Sequence, residues 1–111
     1  MSVETWQNLW PGEEALPSTA SDLVRFETIM KVGDVDLETQ TRWTFADDRL
    51  LSIRLSPIQG RGVLGGLLGA LGIGQRVLRD EGDGLSRGAI GRTRVDVDGL
   101  DGYILLEEEA P

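Results

Sequence analysis

The chain has no cysteine and no histidine, and a single lysine among its 111 residues. Without cysteine there is no disulfide framework, no thiolate metal site and no cysteine nucleophile. Without histidine the commonest general base and metal ligand is missing too, so serine triads and zinc hydrolases are excluded by composition. Aromatic residues are scarce, at three Trp, two Phe and one Tyr. Long hydrophobic runs are also missing. The longest uncharged apolar stretch, residues 62–74, would rise only about 20 Å as a helix, against a hydrocarbon core of about 30 Å. It lacks the strongly polar face of an interfacial helix as well, so no transmembrane segment and no membrane partner are expected. The opening residues, MSVETWQNLW, lack the basic stretch and apolar core of a signal peptide, and a cytoplasmic or virion-associated location is expected.

The charge is lopsided. Ten arginines and one lysine stand against nineteen acidic residues, a formal charge of −8. Such a chain is repelled by phosphate backbones and anionic lipid, so nucleic acid is not expected as a partner unless the arginines segregate onto one face. The length suits one domain over residues 1–111, with an N-terminal arm and connector (1–22) and a body (23–111).

Strand signals dominate the body. In VDLETQTRWTF, Val35, Leu37, Thr39, Thr41, Trp43 and Phe45 alternate with polar residues, the period of a half-buried strand. The segment before it alternates in the same way, and Gly33-Asp34 supplies a tight turn between the two. Asp47-Asp48 then turns the chain into Leu51, Ile53 and Leu55, and Pro57 ends that strand. The reading is an antiparallel meander over residues 23–56, followed by a hairpin over 85–108. Gly88 and Gly91 suggest a bulge or bend in the latter. At the N-terminus, Val3, Trp6, Leu9 and Trp10 recur at helical spacing after Ser2, and Pro11-Gly12 stops the helix. Trp6 and Trp10 cap the domain's own core or anchor a second subunit.

Between meander and hairpin lies GRGVLGGLLGALGIG, residues 60–74, with seven glycines. Gly60, Gly62 and Gly65 fit a dinucleotide-binding spacing, with Asp80 twenty residues beyond the first. Its context fails, because that fingerprint belongs to parallel sheets and these strands alternate as antiparallel ones do. Wound as a helix, the segment puts Leu64, Leu67, Leu68, Leu71 and Leu78 on one face and Gly62, Gly65, Gly66, Gly69, Ala70 and Gly72 on the other. Each helical glycine costs about 0.8–1 kcal/mol relative to alanine, so packing must hold such a helix. The alternative is a flexible loop. DEGDG, residues 80–84, reads as the helix stop, with Gly82 near the cap.

DVDGLDG begins like a calcium loop, with Asp96, Asp98 and Glu107 at the right offsets. Asp101, however, stands where glycine is required, so a hairpin turn is the better reading and no metal is expected. The strand carboxylates fall on wet faces and none is spaced as a catalytic dyad, so no catalytic residue and no cofactor is assigned.

The expected fold is therefore α+β: five or six antiparallel strands, one Leu/Gly helix over about residues 62–80, and a short N-terminal helix or arm. The expected function is a non-catalytic structural or interaction subunit. It would self-associate, or dock in a larger assembly, through Gly62, Gly65, Gly66, Gly69 and Ala70, with Trp6 and Trp10. The alternative is a small cavity protein for an apolar ligand, or a cofactor-independent isomerase or cyclase using a carboxylate.

Overall fold

The computed structural model of the chain describes residues 1–17, 22–32 and 37–108. The Gly33-Asp34 turn, Val35 and the last three residues lie outside the described residues. A two-turn helix α1 (Val3–Leu9) precedes strands β1 (Leu23–Lys31), β2 (Glu38–Ala46) and β3 (Arg49–Pro57). A one-turn 3-10 segment, Arg61–Val63, leads into α2 (Leu64–Ala70), and a second, Gln75–Val77, leads into β4 (Leu78–Gly82). Strands β5 (Leu85–Ile90), β6 (Thr93–Asp98) and β7 (Tyr103–Glu108) complete a single antiparallel sheet in the order β1-β2-β3-β7-β6-β5-β4.

This architecture corrects the expected fold. The sheet has seven strands, not five or six, and the two helices are short, so the chain is mostly antiparallel β. The helix expected over 62–80 covers only Leu64–Ala70. Gly72, at φ +74°, adopts the left-handed conformation that closes a helix. Its N–H donates to Gly69 O at 3.1 Å, while Ile73 N–H reaches back to Leu68 O at 2.9 Å, the paired bonds of a Schellman end. Leu78, which helical spacing adds to the leucine face, instead begins edge strand β4. Residues 80–84 are likewise no helix stop. They hold the end of β4 and a two-residue hairpin turn, Asp83-Gly84, both with positive φ, between the paired Gly82 and Leu85.

Two local meanders make up the sheet, β1-β2-β3 and β4-β5-β6-β7, joined where β3 pairs with β7. Because β4 takes the far edge, the β3–β4 connection must cross the width of β7, β6 and β5, and α2 lies along that path. One face of the sheet is apolar. On β1 and β2, Val24, Phe26, Thr28 and Met30 stand opposite Phe45, Trp43, Thr41 and Thr39. The face continues through Leu55 and Ile104 to Val97, and through Ile53 and Leu106 to Val95.

Each helix covers part of this face. Trp6 of α1 is fully buried on Phe26 and Phe45, its ring 4.1 Å from that of Phe26. Leu64 and Leu67 of α2 are buried with Leu55, Val95, Val97 and Ile104 in a separate aliphatic cluster. The Asp47-Asp48 hairpin holds α1 down. Asp48 Oδ1 accepts from Val3 N–H at 3.0 Å, and Leu50 N–H donates to Met1 O at 3.1 Å.

Gly88 marks no bulge. The irregularities fall at Thr44/Phe45 against β3 and at Asp80/Gly82 in β4. Gly88 is instead where the 75–77 turn presses on the sheet.

Candidate functional site

The structure separates the residues expected to form one surface. Trp6 is 0% exposed, and Trp10 stacks against it with 6.1 Å between centroids, half-buried over Trp43. Both belong to the aromatic cluster under α1, apart from the aliphatic cluster under α2. Gly62, Gly65, Gly66 and Gly69 are exposed, whereas Ala70 packs into the aliphatic cluster. A Cβ added at Gly62, Gly65 or Gly69 would meet nothing within 4 Å, and one at Gly66 would touch Leu37 Cδ1 at 3.4 Å. The glycine side of α2 therefore has no close neighbour within the described chain at three of its four positions.

The two discarded motifs are put to other uses. The glycines of the dinucleotide-like spacing do run into α2, but Asp80 lies on antiparallel β4, where its Oδ1 accepts from Gly82 N–H at 2.8 Å. In the calcium-like stretch, Asp98 Oδ1 accepts from Leu100 and Asp101 N–H, each at 2.9 Å, which ties the β6–β7 turn. Glu107 pairs with Arg94 at 2.6 Å. Among the described residues no cluster of three or more acidic side chains is gathered for a metal, and no helix is long and apolar enough to cross a membrane.

The other face of the sheet, away from both helices, carries the feature that residue patterns had not shown. Successive cross-strand partners place Glu27, Arg42, Arg54, Leu105, Asp96, Arg87 and Arg79 in one row across all seven strands. Each acid is bound to the neighbouring arginine. Glu27 Oε1 accepts from Arg42 Nη2 at 2.7 Å and from its Nε at 3.2 Å. Asp96, almost fully buried, sits between Arg87 Nε at 3.4 Å and Arg94 Nε at 3.7 Å. Beyond each of these pairs stands a further arginine directly opposite the first: Arg54 beside Arg42, and Arg79 beside Arg87.

Six of the ten arginines, those at 25, 42, 54, 79, 87 and 94, lie on this outer face. With Lys31 they make seven basic residues against six acidic ones, namely Glu27, Glu38, Glu81, Asp96, Asp98 and Glu107. Four basic and thirteen acidic residues remain for the rest of the chain. An overall charge of −8 thus conceals an outer face whose described residues are weakly positive. Compared with protein-family models, curated proteins and solved structures, the chain matches none.

Proposed function

We propose that this chain is a non-catalytic structural subunit that self-associates head to tail. The outer face of the sheet in one copy receives the helix-bearing side of the next. The segregation of charge carries this reading. A copy presents arginines on one side, while Glu4, Glu13, Asp47 and Asp48 lie on or beside α1 on the opposite side. Opposed charge of this kind steers association and fixes orientation. The bare backbone at Gly62, Gly65 and Gly69, with no neighbour among the described residues where a Cβ would go, lets a neighbouring surface come close. Two different faces meeting make a heterologous contact, which closes into rings or runs on as filaments.

A second copy fits the outer face better than nucleic acid does. Glu27 and Asp96 stand in the row and Glu107 in the next one, so a phosphate backbone laid along the row would meet carboxylates on β1 and β6 and beside β7.

Sedimentation velocity across protein concentration, at about 0.01 M and about 1 M ionic strength, tests the proposal. The Debye length falls from about 30 Å to about 3 Å between these conditions. The expected result is a concentration-dependent oligomer at low salt that dissociates at high salt, and that Arg54→Glu with Arg87→Glu abolishes. A monomer under every condition overturns the proposal. So does saturable binding of labelled duplex DNA at about 0.15 M salt without self-association.

A further inference from the structure

Arg42 and Arg54 face each other on neighbouring strands. Side chains directly opposite in an antiparallel pair have Cβ atoms about 4.5–5.5 Å apart, and like charges there repel. Glu27 relieves Arg42 through two hydrogen bonds. Nothing equivalent relieves Arg54, which has no ion pair among the described residues. Its guanidinium lies over the Tyr103 ring, 4.2 Å from the centroid. That contact positions the group without using its N–H donors, and no hydrogen bond among the described residues uses them either.

The adjacent row sets Gln40 opposite Ser56. Together with Glu27, Arg42 and Arg54, these two line a recess of about 180 Å³ on the outer face. Its walls offer a guanidinium held in place by an aromatic ring, an amide NH2 and a hydroxyl. The one carboxylate present is already bound to Arg42.

We propose that this recess is an oxyanion site. A carboxylate or phosphate group is gripped by Arg54, with Gln40 and Ser56 completing its hydrogen bonds, beside an undisturbed Glu27–Arg42 pair. A planar guanidinium donates two parallel bonds to such a group, and charge-assisted bonds of this kind are the strong ones. The reading of the outer face as a self-association surface bears only on the source of the anion: on that reading it is an acidic side chain of the next copy. Binding of a free anion does not depend on it.

The test is two-dimensional ¹H–¹⁵N NMR of the full chain, titrated in one arm with inorganic phosphate and in another with a glutamate-rich peptide lacking phosphate. The expected result is saturable shifts at Arg54 Nε, the Gln40 side-chain amide and Ser56. Arg54→Gln should weaken binding at least about tenfold, the size of one charge-assisted contact. Arg25→Gln, on the same face but outside the recess, should leave it unchanged. If Arg54→Gln does not fold, Ser56→Ala serves in its place, with an expected loss of about threefold. Saturation by phosphate supports the site with a free anion as its occupant. Saturation by the peptide alone supports it with a protein carboxylate.

Shifts that grow linearly and equally at every arginine overturn the proposal, as does wild-type affinity in Arg54→Gln. Anion binding by a chain that stays monomeric removes the assembly reading and leaves this site standing. An oligomer with no response at these three residues does the reverse.

Discussion

Gly88 of β5 and Val77 of the 75–77 turn approach so closely that a Cβ on Gly88 would lie 2.0 Å from the Val77 carbonyl oxygen. No side-chain rotation relieves that overlap, because the obstructing atom is backbone. Gly88→Ala must therefore lift the turn off the sheet. Overpacking of this kind costs about 1–3 kcal/mol, and urea unfolding of the variant checks it. A midpoint equal to wild type would show that the turn does not rest on β5.

Trp6 offers a second contrast. Its ring is buried and stacked on Phe26, yet its Nε1–H has no acceptor among the described residues, whereas the Trp43 Nε1–H donates to Thr28 Oγ1 at 3.0 Å. Trp6→Ala empties the site under α1 and is expected to cost about 3–5 kcal/mol. Trp6→Phe keeps most of the packing and removes a donor whose burial is itself unfavourable, so its cost should be well under half as large. Thermal melts of the two variants side by side check the ratio. Equal losses would mean that the indole N–H has a partner.

The glycines of the α2 segment divide by backbone angle. Gly65 and Gly69 are helical, with open space where a Cβ would go, so Gly65→Ala and Gly69→Ala should each stabilise the chain by about 0.5–1 kcal/mol. Gly72 also has room but sits at φ +74°, and Gly72→Ala should destabilise it by about 1 kcal/mol. Opposite signs in chemical denaturation are the expected outcome. A common sign would mean that the helix does not end at Gly72.

In the β6–β7 turn, Asp98 acts as a structural acceptor. Asp98→Ala releases two backbone N–H groups to solvent and should cost about 1 kcal/mol, while Asp101→Ala, at an exposed position, should cost little. Millimolar calcium should leave the melting temperature unchanged. A calcium-dependent rise that Asp98→Ala removes would restore the ion-binding reading of this stretch.

Some of this structure was legible in the residues and some was not, for identifiable reasons. The alternation of Thr39, Thr41, Trp43 and Phe45 is a local signal, and those four residues do share the apolar face. Helical spacing carries the expected helix on to residue 80 because Leu71 and Leu78 keep a 3.6-residue period past Gly72. The glycine's positive φ, together with the Leu68–Ile73 closure, is what ends it. The arginine row could not be read at all. Arg42 and Arg54 sit on the polar sides of their strands and Arg87 shares its side of β5 with Leu85 and Ala89, but the alignment of the first two with the third depends on β7 lying between β3 and β6. That adjacency is set by a crossover and leaves no mark in local periodicity.

The seam between β3 and β7 has a kinetic meaning. Within each meander, neighbouring strands are joined by short connections, so their pairing closes small loops. At the seam, Leu55 meets Ile104 from forty-nine residues away, and among the described residues four consecutive pairs hold the two halves together there. Closing a long loop costs entropy before any contact rewards it, which slows pairing of this kind. The two meanders should therefore gain protection against hydrogen exchange early in refolding, with Leu55 and Ile104 protected last. The docking of two preformed halves would then set the rate at which the sheet becomes one.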